Sequence, residues 1–248
     1  MRVIGLIPSR IGSKRLLAKP LLPLNNIPLI VHVFKRAQLS KKLTDVIVCC
    51  DDKKIFNTVK DFGGKALLTS KKHQNGTERI AAAYKSLKKK YDLVLDIQGD
   101  EPLINPRHID DVINYHIRYA KTDIVVPSLK IKYSQNENIV KITKDLNDNV
   151  LYFSRASIPF QYKKSINFYH KHLSIISFRP LALKKFANSK KTNLEKIEGI
   201  ELLRALEIGL KIKSPLLNGD SFSIDIKADY IRAKLKFAKD KVLKFYKK

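Results

Sequence analysis

Three groups of side chains in this sequence are of kinds that handle phosphate, metal and heterocycle chemistry. The first is Arg10, Lys14, Arg15 and Lys19, set close together between Pro8 and Pro20. A loop this rich in guanidinium and ammonium groups suits a ligand with several negative oxygens, such as a triphosphate. The second is a pair of carboxylates. Asp100 stands in Gln98-Gly99-Asp100-Glu101-Pro102, where glycine lets the backbone turn tightly and approach a ligand. Asp225 stands in Phe222-Ser223-Ile224-Asp225-Ile226, an apolar run in which an acid is costly unless paired or metal-bound. Both suit a hard cation such as Mg²⁺, which prefers oxygen. The third is His73-Gln74-Asn75-Gly76-Thr77-Glu78-Arg79, with backbone donors at a helix start and amide and hydroxyl groups able to read a nucleobase or sugar hydroxyl. Farther on, Tyr152-Phe153-Ser154-Arg155 and His170-Lys171-His172 would set cations near an acidic substrate. Taken singly, each group has an ordinary explanation: a solvated loop, turn acids, a capped loop, a surface hairpin. Together, two such acids and a basic loop describe a metal–triphosphate site better than any one alone.

The elements that must position these groups follow from hydrophobic patterning. Val3 to Ile7 reads as a first buried strand, and a loop leaving the carboxyl end of such a strand is where open α/β sheets bind ligands. Pro28 to Ala37 reads as a helix with proline in its first turn. Asp45 to Cys50 is a second strand, followed by Asp51 and Asp52 at the start of a helix through Phe62, closed by Gly63-Gly64. Lys65 to Leu68 is a third strand, and Thr77 is the expected cap of a helix from Glu78 to about Lys90. Leu93 to Ile97, a helix from about Arg107 to Ala120 and the strand Ile124 to Pro127 continue the alternation. Such alternation predicts an α/β fold with a mainly parallel sheet covered by helices.

The second half is more mixed. Ile139 to Ile142 and Val150 to Phe153 flank the turn-rich Asp145 to Asn149 and read as a hairpin. Ser157 to His170 is polar with little periodicity and suits an excursion or a dimer arm. His172 to Phe178 is expected as one strand, Arg179 to Ala187 as a helix, Leu194 to Leu210 as one long helix, and Ala228 to Tyr246 as a closing helix. No repeat, low-complexity linker or clear boundary interrupts the 248 residues, so a single domain over 1–248 is expected.

Composition narrows the class. Apolar residues make up 44% and charged residues 29% of the chain, ordinary globular chemistry. No apolar run approaches the roughly 20 residues needed to span a bilayer, and Met1-Arg2-Val3 enters a strand pattern without a signal-peptide segment. A cytoplasmic protein is expected. Cys49 and Cys50 are adjacent and outside any zinc pattern, so packing is their expected role. The net charge of +26 invites a nucleic-acid reading. Yet the lysines are scattered, as in Lys53-Lys54, Lys71-Lys72 and Lys88-Lys89-Lys90, and no RNA-binding aromatic signature, zinc finger or basic zipper is present. Lysine, Asn and Ile are abundant and Gly scarce, so a compositional drift is expected, one that other proteins of the same source should share, and specific nucleic-acid binding is the minority reading.

The motifs carry a resemblance. Ile7-Pro8-Ser9-Arg10, Arg15-Leu16, Lys19-Pro20-Leu21, the 73–79 loop, Gln98 to Pro102, Tyr152 to Ala156 and His172-Leu173 come in the order found in the 3-deoxy-D-manno-octulosonate (Kdo) cytidylyltransferases, the CMP-Kdo synthetase family. The similarity spans nearly the whole chain. It implies a Rossmann-like nucleotide-diphospho-sugar transferase fold, a homodimer, and synthesis of CMP-Kdo and pyrophosphate from CTP and Kdo with Mg²⁺, for lipopolysaccharide biosynthesis. Position by position, Arg10, Ser13, Arg15 and Lys19 resemble the phosphate-binding set. Asn75, Gly76, Thr77 and Arg79 resemble the cytidine-side loop, and Asp100 and Asp225 the metal carboxylates. Gln98, Arg155, His172 and Glu201 fall where the family contacts the sugar acid, and Arg10, Lys19, Asp100 and Asp225 are the expected catalytic residues. The chain departs from the family pattern at Leu17 and Ala18, which replace a proline and a glycine, and at Leu202, Ile176 and Asp225-Ile226-Lys227-Ala228-Asp229. Leu202 and Ile176 motivate a rival within the class: a cytidylyltransferase for another acidic sugar, 8-amino-Kdo or a sialic-type acid.

Overall fold

The computed structural model describes residues 1–13, 15–132, 134–163 and 165–247, so Lys14 lies outside the described residues. Its contacts divide the chain into two units, Met1–Asp110 with Ser221–Lys248, and Asp111–Asp220.

The first unit opens with β1 (Val3–Ser9), the short hairpin β2 (Pro23–Leu24) and β3 (Ile27–Pro28), and α1 (Leu29–Gln38). It continues through β4 (Asp45–Cys50), α2 (Lys53–Asp61), β5 (Lys65–Leu68), α3 (Gly76–Ser86) and β6 (Leu93–Ile97), and α4 (Pro106–Arg118) leads out of it. The strands β6-β1-β4-β5 pair in that order, all parallel. Every residue of β1 and β6 is buried, which is why both read as continuous apolar runs rather than alternating ones. The β2–β3 turn takes Asn25 and Asn26 into the left-handed region, the conformation that matches strand twist in a two-residue hairpin loop. The sites expected to bind phosphate and metal leave the carboxyl ends of β1 and β6, neighbours in this sheet.

The second unit holds β7 (Ile124–Val125), β8 (Ser128–Ile131), β9 (Lys141–Lys144), β10 (Val150–Ser154), β11 (Tyr169–His172) and β12 (Ile175–Phe178). After them come α5 (Pro180–Asn188), α6 (Asn193–Glu198), α7 (Glu201–Glu207), β13 (Ile212–Lys213) and β14 (Leu216–Leu217). Strands β10-β9-β11-β8-β14 form a mixed sheet in which only β14 and β8 run parallel. The expected β9–β10 hairpin forms, its turn held by Asp145 Oδ1 accepting from the N–H groups of Asn147 and Asn149 at 2.8 and 2.7 Å. The chain then returns to the first unit with α8 (Lys227–Ala238).

Four expectations are corrected. The helix after the 73–79 loop begins at Gly76, and its cap is Asn75 rather than Thr77: Asn75 Oδ1 accepts from Glu78 N at 2.8 Å. Glu78 reciprocates, accepting from Asn75 Nδ2 at 3.0 Å and Gln74 N at 3.1 Å, a reciprocal cap of the capping-box kind. The stretch from Leu194 to Leu210 is two helices, because Gly199 takes φ +63° and ends α6. The strand expected over His172 to Phe178 is two, β11 and β12. The closing helix ends at Ala238, and Asp240 turns its carboxylate to Arg36 and to Val242 N instead. As expected, Cys49 and Cys50 are free and buried, and burial pushes the Cys50 thiol up to about 11. Among the described residues no helix is long and apolar enough to cross a membrane.

Candidate active site

The first unit gathers Arg15 and Lys19 of the basic loop and both candidate metal carboxylates at one point. Lys19 Nζ donates to Asp100 Oδ2 at 3.0 Å, to Ile224 O at 2.6 Å and, more loosely, to Asp225 Oδ1 at 3.5 Å. Arg15 Nη2 donates to the same Asp225 oxygen at 2.8 Å. Lysine has three donors, and all three are engaged here. The two carboxylates are about one-third exposed, at 30% and 31%, whereas Lys19 is 15% exposed. Two oxygen-rich groups thus converge on one positive centre that solvent can reach.

Local structure explains the convergence. Asp100 follows β6, and Asp225 lies in an irregular segment just before α8 rather than in a strand. The backbone joins them: Ile224 N donates to Asp100 O at 3.0 Å. Asp229 Oδ2 then accepts from Asp225 N and Ile226 N at 3.0 and 3.1 Å, which orients the acid at the helix start. Burial opposes ionisation of Asp229, but these N–H donors and Arg232 outweigh it and hold its carboxyl below the usual range. Gly99 is required for the approach on the β1 side, since a Cβ there would lie 2.7 Å from Pro8 O.

The loop departures at Leu17 and Ala18 find a physical description. Ala18 keeps φ 48° and ψ 34°, the left-handed conformation that suits the family's glycine, and it precedes the short 3-10 turn carrying Lys19. Leu17 is exposed. Ser13 accepts from Leu16 N at 3.4 Å, tightening the loop, and Arg10 is exposed.

The nucleobase-side candidates are also in this unit. Gly76 opens α3 against Pro8, where an added Cβ would meet Pro8 Cγ at 3.1 Å and Gln98 Nε2 at 3.3 Å. Gln98 Nε2 donates to Asp96 Oδ1 at 2.9 Å, and Thr77 Oγ1 lies 3.4 Å from Asp96 Oδ2. Gln98, assigned with the sugar-acid contacts, is thereby grouped with Gly76 and Thr77. Arg79 is buried; its guanidinium donates to Thr69 Oγ1 at 2.7 Å and Ser70 O at 3.2 Å and pairs with Asp51 at 3.3 Å. Sequence reasoning missed Asp96, although a fully buried acid inside Leu93-Val94-Leu95-Asp96-Ile97 carries the same signal that singled out Asp225.

The remaining sugar-side candidates are in the second unit. The Arg155 guanidinium donates to three carbonyls, Glu137 O at 2.8 Å, Glu198 O at 2.9 Å and Gly199 O at 3.4 Å. Glu198 also accepts from Ser154 Oγ at 2.7 Å and Arg155 N at 3.0 Å. Lys141, fully buried, donates to Arg155 O at 2.6 Å and Asn136 O at 2.9 Å. Neither Glu198 nor Lys141 was singled out from the sequence; Lys141, a cation between Val140 and Ile142, carried a signal, and Glu198 carried none. His172 ends β11 with its Nε2 enclosed, and burial, with Lys171 adding to it, lowers its pKa to about 4. Glu201 is the first residue of α7. Leu202 and Ile176, at 3% and 2% exposure, are core residues, so their apolar character is explained by packing.

The chain is similar to proteins of known kind. The cytidylyltransferase family model matches residues 4–212. The 3-deoxy-manno-octulosonate cytidylyltransferase of Thermodesulfovibrio yellowstonii is 43% identical over 92% of this chain and 95% of its own. The 8-amino-3,8-dideoxy-manno-octulosonate cytidylyltransferase of Shewanella halifaxensis is 40% identical over 92% of this chain and 96% of its own. Among solved structures, CMP:2-keto-3-deoxy-manno-octonic acid synthetase complexed with CTP superposes with a TM-score of 0.91 at 28% identity, covering 96% of this chain and 99% of that one.

Proposed function

The chain belongs to the 3-deoxy-manno-octulosonate cytidylyltransferase (CMP-Kdo synthetase) family and is a nucleotidyltransferase; from that premise we propose that it transfers CMP from CTP to Kdo. The observation that carries this reading is the convergence of Asp100, Asp225, Lys19 and Arg15 at the carboxyl ends of β1 and β6. In the proposed reaction an anomeric hydroxyl of the sugar acid attacks the α-phosphorus of CTP. The new O–P bond forms as the α–β phosphoanhydride bond breaks, pyrophosphate leaves, and the hydroxyl proton passes to solvent. Arg10, Arg15 and Lys19 take the β- and γ-phosphate oxygens, where fixed cations stabilise the departing charge.

Asp100 and Asp225 suit Mg²⁺: both are hard oxygen donors, they already share one cationic partner, and they are open enough for the ion to keep bound water. Held there, the ion would supply charge neutralisation on the phosphates and acidify the attacking hydroxyl. Asn75, Gly76 and Thr77 would meet the cytidine, with Gln98 beside them, and Arg155, His172 and Glu201 would meet the sugar acid. A homodimer is proposed with residues 157–170 as its arm, where Phe160 and Tyr162 are exposed. Light scattering of the purified chain would test it: a dimeric mass that Phe160→Ser with Tyr162→Ser reduces supports the arm, and a monomer contradicts it.

The second reading, 8-amino-Kdo as the sugar, is favoured by the 40% identical relative of that name. Comparing kcat/KM for the two sugar acids at saturating CTP decides between them. A higher value for Kdo supports the first reading, and a higher value for the 8-amino sugar replaces it.

A further inference from the structure

Asp51 and Asp52 both stand where an acid favours the next helix, but the structure gives them different tasks. Asp52 caps α2, accepting from Lys54 N at 2.8 Å. The Asp51 side chain, 9% exposed, turns away from the helix and bridges two loops. Its Oδ1 accepts from Ile11 N at 3.0 Å, and its Oδ2 faces Arg79 Nη2 at 3.3 Å. Ile11 lies in the basic loop, between Arg10 and Ser13. Arg79 lies in the first turn of α3, two residues after Thr77 of Asn75-Gly76-Thr77. The parallel register that pairs Ser9 with Cys50 brings the two chain segments side by side at this point.

Resting on the CTP reading of this unit, we propose that Asp51 is a positioning residue that fixes the triphosphate-side loop to the cytidine-side loop, so that both ends of one nucleotide are bound together. The chemistry suits the task. A buried carboxylate holding an N–H on one side and a guanidinium on the other makes charge-assisted bonds of defined geometry. Arg79 is anchored in turn on Thr69 and Ser70, so the link ends on a fixed point rather than a free side chain. Releasing Ile11 N would free the backbone that carries Arg10 and Ser13. Preorganising both loops raises affinity for a ligand that spans them and leaves affinity for each half nearly unchanged.

Calorimetric titration of the whole chain with CTP, CMP and pyrophosphate in Mg²⁺ buffer tests this. Asp51→Ala should weaken CTP by about tenfold, the scale of one charge-assisted hydrogen bond, with CMP and pyrophosphate each changed by less than about threefold. Asp51→Asn keeps an acceptor for Ile11 N and removes the charge facing Arg79, so its CTP loss should be intermediate; it also serves if the alanine variant does not fold. Equal weakening of all three ligands, or unchanged CTP affinity in a folded variant, would overturn the coupling. Absence of CTP binding by the unsubstituted chain would sink the cytidylyltransferase reading and the coupling together.

Discussion

Lys19 Nζ sits 3.0 Å from Asp100 Oδ2, and the same ammonium reaches Asp225 at 3.5 Å, so one lysine serves as counter-ion to both acids of the site. A divalent ion would compete for these oxygens. Replacing Lys19 with methionine removes the proposed phosphate ligand and also that competitor. Turnover should therefore fall by about 100-fold or more, while the Mg²⁺ concentration for half-maximal activity stays the same or drops. A rise in that concentration would show that Lys19 supports the ion site rather than competing for it.

The acids themselves carry a separate expectation. Asp100→Asn and Asp225→Asn keep side-chain shape and remove charge, and each should lower turnover by about 100-fold or more even at saturating Mg²⁺. Near-normal turnover in either variant would remove that acid from the chemistry.

Ala18 offers a stability test. Its left-handed backbone, φ 48°, is one that L-residues other than Asn and Asp rarely adopt, at roughly 1–2 kcal/mol. Ala18→Gly relieves that strain against the greater flexibility of unfolded glycine, so urea denaturation should show a gain of up to about 1 kcal/mol with activity retained. A clear loss of stability would mean that the loop does not hold this conformation.

Gly99→Ala should act the other way. Its Cβ would fall 2.7 Å from Pro8 O, a backbone atom that cannot swing aside. Displacing the 98–100 turn should cost roughly 1–3 kcal/mol and shift Asp100 enough to lower kcat. Wild-type melting and turnover in this variant would contradict the described packing of the turn on β1.

His32 predicts a pH dependence. Its Nε2–H donates to Leu24 O and its Nδ1 accepts from the Tyr246 hydroxyl, both at 2.8 Å, so the neutral ring satisfies both partners. Burial lowers its pKa from 6.5 to about 4 against the opposing hydrogen bond to Leu24. The unfolded chain takes up this proton as pH falls through about 6.5, and the folded chain only near 4. Its contribution to stability is therefore full above about pH 6.5, declines as pH falls, and levels off below about 4, by at most about 3 kcal/mol. In urea titrations between about pH 7 and 4.5, His32→Gln should show a shallower decline than the unsubstituted chain. An identical slope would contradict the buried neutral ring.

Much of this site was legible because its chemistry is written in local runs. The parallel sheet of the first unit follows from continuous apolar strands, the candidate Asp100 from an acid at a glycine turn just past a buried strand, and the candidate Asp225 from an acid within an apolar run. What escaped depended on tertiary choice between equivalent residues. Asn75 and Thr77 both suit a helix cap, and only the position of Asp96 beneath the helix start explains why the threonine turns inward. Asp51 and Asp52 are the same residue type in adjacent positions, and strand register alone gives one of them to Ile11. Leu202 and Ile176 motivate a different acidic sugar when only the sequence is read, whereas their burial places them in the core. Gly199 between α6 and α7 shows the commonest limit, since an interior glycine signals a possible stop without revealing whether the helix takes it.

Pyrophosphate release tests CTP-dependent activation of an acidic 3-deoxy-ulosonic sugar most directly. Each of the nucleoside triphosphates ATP, GTP, UTP and CTP would be offered with Kdo, 8-amino-Kdo or a sialic acid in the presence of Mg²⁺. Release should require both CTP and a Kdo-type sugar and should fall by about 100-fold or more in Asp225→Asn. No release with any CTP–sugar pair, together with salt-sensitive DNA binding by this +26 chain, would contradict it.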